Sequence, residues 1–292
     1  MKEIKVSACI ITYNQENFIR NCLDGAVSQV LDYDYEIVIG DDCSTDNTFA
    51  ICQEYANNYP EKIRLLSREK NMGMAANWAD TIQNCKGRYI AMCEGDDYWT
   101  DNDKLRKQLD FLESNPDYVL SFHKVDVLKA TGEIVADFLT DVPEAHETIE
   151  DVVEKGNYIH TPSVVYRNII QVFPKEFYKS PIADHFLYIL LAKHGKVNYL
   201  NQEMAVYRHG VGIFTSQNSI RITADLIRFY SCLLSYLEDE KLKAMVYYKQ
   251  DLAVDRLLRF TKYQYTRNAF LSKQKSFSDL MRIAFRKIIK IK

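Results

Sequence analysis

Residues Tyr89–Thr100 read YIAMCEGDDYWT, an apolar, strand-like run that breaks into three acids, Glu94, Asp96 and Asp97. Carboxylates crowded in this way raise one another's pKa by repulsion unless something compensates them. The same grammar recurs along the first hundred residues. Val6–Thr12 (VSACIIT) runs into TYN, Glu36–Ile39 (EIVI) runs into GDDCSTD, and Ile63–Leu66 is a further β-rich run. Helix-like segments lie between them at Phe18–Gln29, Thr45–Asn58 and Met74–Cys85. Alternation of this kind implies an α/β fold, Rossmann-like, with a mostly parallel sheet flanked by helices. Such sheets bind ligands outside the carboxyl ends of their strands. Three polar clusters at equivalent strand ends are therefore expected to converge on one cleft.

Beyond residue 100 the pattern loosens. A helix is expected over Lys104–Ser114, strands around Tyr118–Leu128 and Ile134–Leu139, and a mixture over Thr161–Tyr166, Asp184–His194 and Lys196–Arg208. From about Ile220 the chain reads as helical and tyrosine-rich. The expected organisation is one domain over residues 1–215, in halves of 1–100 and 101–215, followed by a helical C-terminal extension (216–292).

Composition narrows the function classes. A net charge of −3 offers no global footprint for nucleic acid. No apolar stretch reaches the length of a membrane span. The N-terminus passes into a strand rather than a signal peptide. Seven cysteines without a C-x-x-C pair read as reduced thiols in a cytoplasmic protein, not as disulfides or a zinc site.

Asp41 and Asp42 close the second strand and can accept hydrogen bonds from a base N–H or a ribose hydroxyl. Ser44, Thr45 and Asp46 suit the cap of the following helix. Glu94, Asp96 and Asp97 form a hard oxygen set suited to Mg2+ or Mn2+, which would also bind phosphate oxygens. The bland alternative is an acidic loop capping the next helix. Asp184 fits a helix N-cap before HFLYILLAK. His160, His185 and His209 have no metal-triad spacing. Trp78 reads as packing, and Trp99, beside the acids, as packing or as a stacking platform.

In order along the chain, IITYN, IVIGDDCSTDNT, NMGMAAN, GRYIAMCEGDDYW and KLRKQLDFLESNPDY resemble family 2 glycosyltransferases, the inverting GT-A enzymes. HTPSVVYRN, ADHFLYILLAKHGKVNYL and AVYRHGVG extend the likeness to about residue 210, in a bacterial branch with EGDDYW in place of the commoner D-x-D-D. The resemblance implies a GT-A fold. It also implies metal-dependent transfer of one sugar from a nucleotide sugar, UDP-linked by expectation, to an acceptor hydroxyl in cell-surface polysaccharide or glycolipid assembly.

By the same resemblance Thr12, Tyr13 and Asn14 line the nucleobase pocket, with Asp42, and Asp41 beside it, reading the base edge. Asn71, Gly73 and Asn77 belong to the nucleotide site. Asp96 and Asp97 hold the metal, Mn2+ or Mg2+, that bridges the diphosphate, and Glu94 takes the place of the leading carboxylate. Asp184 is the general base. Arg208 and His209 close over the diphosphate, His209 as a further metal ligand. Departures are Ala76, where relatives often carry Arg, Cys43 in place of a frequent Gly, and the absence of Q-x-x-R-W, which argues against a processive synthase.

Two other classes compete. A sugar nucleotidylyltransferase would need a Gly-rich loop with a basic residue after the first strand, and TYNQENF has none. A non-catalytic nucleotide-binding or scaffold protein on the same fold is the alternative function. Finally, Ser276–Lys292 is amphipathic and basic. It either packs on the domain or lies on an anionic membrane surface near a lipid-linked acceptor, which would make the protein peripheral at the inner face of the membrane.

Overall fold

Strand β1 (Val6–Thr12) is buried along its whole length, as a strand covered on both faces must be. Its residues alternate between two cores. Cys9 and Ile11 face one side, Val6, Ala8 and Ile10 the other. The computed structural model describes residues 3–211 and 218–269.

Four strands run parallel in the order β3 (Ile63–Leu66), β2 (Tyr35–Asp41), β1 and β4 (Tyr89–Glu94). Helices α1 (Ile19–Val27), α2 (Thr48–Asn58) and α3 (Met74–Asn84) make the crossovers. α1 and α2 pack on the face carrying Ile10, and α3 packs on the face carrying Ile11. The parallel half of the sheet is therefore as the alternation implies.

Beyond β4 the sheet becomes mixed. β8 (Val165–Arg167) pairs antiparallel with both β4 and β6 (Tyr118–Leu128). β6 then runs parallel to β9 (Lys196–Arg208), with register shifts near Lys124. Two short strands, β5 (Tyr98–Trp99) and β7 (Ile134–Ala136), pair antiparallel with β9 and β6. Among the described residues nine strands form one sheet.

Several boundaries differ from the sequence reading for local reasons. α2 starts at Thr48 because the Asp46 carboxylate accepts the Thr48 N–H at 2.9 Å, while Ser44 and Thr45 bond elsewhere. β7 stops at Ala136 because the Asp137 carboxylate turns the chain, accepting the Leu139 N–H at 2.8 Å. Thr161–Ser163 is a 3-10 turn around Pro162, and the strand begins at Val165. Helix α5 (Ile149–Lys155), absent from the sequence reading, is set by a capping box between Thr148 and Asp151.

Helix α4 (Lys104–Ser114) covers the Ile10 face. Helix α6 (Ala183–Ala192) is buried nearly all round, as its apolar sequence demands. The C-terminal helices α7 (Ser219–Tyr236) and α8 (Glu240–Ala269) cover it. Phe229, Tyr230, Leu233 and Val246 join the same core as Phe186 and Tyr188, and Phe229 stacks on His185 with centroids 5.0 Å apart. The described cysteines are free thiols, and most are buried. No described helix is long and apolar enough to cross a membrane. The amphipathic segment Ser276–Lys292 lies outside the described residues.

Candidate active site

The sheet register brings the polar clusters together. Thr12 pairs with Asp41 across β1 and β2, and Ile11 pairs with Glu94 across β1 and β4. The Asp42 N–H then donates to the Thr12 carbonyl, and the Gly95 N–H to the Ile11 carbonyl, each at 2.9 Å. TYN, GDD and EGDD thus emerge side by side at one edge.

Around β1 and β2 the two aspartates organise loops. Asp41 accepts from the Ser44 N–H at 2.9 Å and the Ser44 hydroxyl at 2.5 Å. Asp42 accepts from the Met72 N–H at 2.7 Å and the Gly73 N–H at 2.9 Å, and its own carbonyl accepts from Asn71. Asn77, buried, donates to the Gly40 carbonyl at 2.8 Å. Asn14 bridges to the facing loop, its N–H donating to Ser44 Oγ and its carboxamide oxygen accepting the Thr45 N–H. Tyr13 is left exposed above these loops. Asn14 and Cys43 both adopt positive φ, 53° and 63°. This explains why glycine suits position 43, since left-handed backbone crowds a Cβ. In the neighbourhood of Ala76, a guanidinium does exist: Arg68 bonds Asp80 at 2.6 Å and lies 3.4 Å from the Asn77 carboxamide oxygen.

The acids after β4 form a tight trio. One carboxylate oxygen from each of Glu94, Asp96 and Asp97 lies within 4.8 Å of the others. Asp96 and Asp97 are buried, while Glu94 stays partly open. Asp97 Oδ1 accepts the Arg208 N–H at 2.8 Å, but its Oδ2 is buried with no partner. Arg208 Nε donates to the Asp96 carbonyl at 2.9 Å, and its guanidinium rests 4.6 Å over the Phe18 ring. Burial raises the pKa of all three acids. Mutual repulsion adds to it for Glu94 and Asp97, while the Asp96 backbone N–H, the nearby Arg208 charge and the Gln15 carboxamide counter it at Asp96. Gly95 is required in between, because a Cβ there would sit 2.5 Å from Gln15 Oε1 and 2.7 Å from Thr12 Oγ1.

An orphaned, buried carboxylate oxygen inside an all-oxygen donor set fits a hard divalent cation. His209 lies outside this trio. Its ring packs edge-on against Phe138, 5.6 Å between centroids, and its N–H donates to the Leu128 carbonyl. The sequence expectation that His209 ligates the metal finds no support in this arrangement.

Asp184 sits in the first turn of α6, whose N-cap is Ile182. It is therefore not the cap. Its Oδ2 accepts from Asn157 Nδ2 at 2.6 Å, and its charge reaches Glu94, whose pKa it helps to raise. Trp99 packs rather than presenting a platform, being buried with its indole N–H on the Pro162 carbonyl at 2.8 Å. Gln15 and Asn157 escaped the sequence reading. Gln15 directly follows TYN and accepts the Thr12 hydroxyl at 2.7 Å. Asn157 carries no motif at all, and only the chain path brings it to Asp184.

The profile described as Glycosyl transferase family 2 matches residues 7–170. The chain belongs to that family. An uncharacterised protein of Mycobacterium tuberculosis is 39% identical over 212 residues, 72% of this chain and 61% of that protein. The chain thus spans about three fifths of that relative's length.

Among solved structures, TarS of S. aureus (residues 1–349) in complex with UDP-GlcNAc superposes with a TM-score of 0.62. That match has 18% identity and covers 96% of this chain and 79% of that one. The mannosyltransferase PcManGT of Pyrobaculum calidifontis, in complex with GDP-Man and Mn2+, gives a TM-score of 0.61. Its identity is 14%, with 99% of this chain and 81% of that one covered. These two likenesses establish the GT-A fold.

Proposed function

We propose that this family 2 glycosyltransferase moves a single sugar, with inversion, from a nucleotide sugar to an acceptor hydroxyl. The observation that carries the reading is the Glu94, Asp96 and Asp97 trio with its unpartnered oxygen, one strand from the loops that Asp41 and Asp42 shape. The nucleotide lies over Thr12, Tyr13 and Asn14, with Asp42, Asn71, Gly73 and Asn77 setting the wall of its pocket. Glu94, Asp96 and Asp97 would hold a divalent ion, Mn2+ or Mg2+. Bound there, the ion supplies positive charge opposite the diphosphate leaving group. Arg208 braces the trio through Asp97 and the Asp96 carbonyl.

Asp184 accepts the proton of the acceptor hydroxyl as its oxygen bonds the anomeric carbon. The anomeric carbon–oxygen bond breaks at the same time, its electron pair leaving with the diphosphate. One base suffices for inversion, and no enzyme nucleophile is needed. Asn157 holds the Asp184 carboxylate in place. UDP is the proposed nucleotide, in keeping with the TarS complex. Attachment at the inner face of the membrane through Ser276–Lys292 remains part of the proposal. It predicts loss of co-sedimentation with anionic liposomes when the chain is truncated at residue 275.

The test is a thermal-shift panel of UDP-, GDP-, CMP- and dTDP-sugars with and without Mn2+, beside an Asp96→Ala/Asp97→Ala double variant. Metal-dependent stabilisation by one nucleotide class, lost in the variant, is expected. No stabilisation by any donor would sink the enzyme reading in favour of a scaffold.

A further inference from the structure

A cavity of about 150 Å3 lies between β6, the Asp137–Val142 segment, Tyr158, His160 and Tyr199. Its inner wall is aromatic. Phe122 and Tyr158 are buried, and the Phe122 ring lies 5.8 Å from Tyr158 and 5.1 Å from Tyr199. Its other wall is polar and mostly bonded within itself. Asp137 accepts from His160 Nε2 at 3.0 Å, the Thr140 hydroxyl at 2.5 Å and the Leu139 N–H at 2.8 Å. Lys124, tied to Glu203 at 2.7 Å, and the exposed Asp141 also line it.

His123 is the exception. The residue is 2% exposed and lines the cavity. Its Nδ1 lies 2.7 Å from the Lys124 carbonyl, which can only accept, so Nδ1 carries the proton. Burial, and next the charge of Lys104, push its pKa well down, so the ring is neutral. Nε2 is then a bare acceptor, and no protein group donates to it. A buried acceptor left unmade is costly, so a donor from outside belongs there.

Position links the cavity to the reacting groups. The segment from Asn157 to His160 places Asn157 on the Asp184 carboxylate, and Tyr158 and His160 on the cavity. On the other side the His160 ring lies 4.5 Å from Tyr207, next to the Arg208 N–H that binds Asp97.

We propose that this cavity is the acceptor subsite and takes one neutral pyranose ring, a ring hydroxyl donating to His123 Nε2. The proposal rests on the glycosyl-transfer reading above. A cavity of roughly 150 Å3 admits a six-membered ring, since an apolar one of that size takes benzene. The mixed wall suits a sugar, with C–H faces against Phe122, Tyr158 and Tyr199 and hydroxyls toward His123. Asp137 and Asp141 oppose a phosphate or a uronate.

The test is saturation-transfer NMR on the full chain with methyl glycosides of glucose, galactose, N-acetylglucosamine and glucuronic acid, and with UDP. Wild type is compared with His123→Phe and, should that variant misfold, with Tyr199→Ala. The expected result is saturation of a neutral glycoside, weakened about tenfold in the variants, with UDP binding unchanged in all. A wild type that binds UDP but no neutral glycoside would overturn the subsite and leave only water in the cavity. Variants that bind the glycoside as wild type does, or a preference for the glucuronide, would overturn it equally. Glycoside binding without UDP binding would keep a sugar site at His123 and remove the transfer reading.

Discussion

The Asp97 carboxylate accepts the backbone N–H of Arg208 at 2.8 Å across 111 residues of chain. This contact ties the end of β9 to the acid trio, and it uses one Asp97 oxygen while leaving the other unpartnered. Arg208 thus holds the trio at Asp97 and at the Asp96 carbonyl, and Asp97 keeps one buried oxygen without a partner.

The first prediction concerns pH. Glu94, Asp96 and Asp97 titrate above the ordinary carboxylate range, chiefly through burial. The folded chain therefore binds their protons more tightly than the unfolded chain does. Without a divalent ion, stability falls as pH rises from the ordinary carboxylate value through the raised ones. Mn2+ should reverse the loss, and more so at higher pH because it competes with protons. Melting curves from about pH 4 to pH 8, with EDTA or with Mn2+, check this. A pH-independent Mn2+ effect, unchanged in Asp97→Asn, would refute it.

Asn157 is predicted to position the base. Asn157→Ala removes the 2.6 Å bond to Asp184, and a hydrogen bond to a charged group is worth about ten- to a hundredfold in rate. kcat should drop by that factor while UDP affinity stays constant. Wild-type kcat, or a parallel loss of UDP binding, would show that Asn157 does something else.

Cys43→Gly should stabilise the fold. Cys43 holds φ at 63°, a conformation that costs a residue with a Cβ about 1–2 kcal/mol. Glycine gives back part of that gain through the freer unfolded chain, leaving roughly 0.5–1 kcal/mol. A urea midpoint equal to or below that of wild type contradicts the account.

Lys104 is fully buried, bonded to Gln108 at 2.8 Å and 4.5 Å over the Trp99 ring. Burial lowers its pKa to about 7, against about 10.4 in the unfolded chain. Between those values the unfolded chain carries a proton that the folded chain lacks, so Lys104 makes stability rise with pH across that window. Lys104→Met should flatten this rise in denaturant titrations. A slope equal to that of wild type would mean the amine stays charged.

Much of the parallel half of the sheet was legible in the residues. The apolar runs VSACIIT, EIVI and YIAMCE can bury only as strands covered on both faces, and a sheet of that kind carries its polar ends to one edge. Alternation therefore placed Thr12, Asp41 and Glu94 at equivalent strand ends, while the strand order and register that set them side by side belong to the folded sheet. Its failures were short or non-periodic: the two-residue β5, the seven-residue α5, and the 3-10 turn at Thr161–Ser163. Elements that short offer too few positions for a period to show.

Only the tertiary structure decided the groupings beyond β4. Asn157 meets Asp184 across 27 residues, Arg208 reaches Asp97 from a distant strand, and His123 keeps a bare nitrogen in a cavity walled by four separate segments. No local pattern encodes such pairings. They depend on where β6, β8 and β9 run, and those strands share one core through Phe122, Tyr166 and Val197. Residue type and order set the chemistry available to this chain, and packing chose which groups face one another.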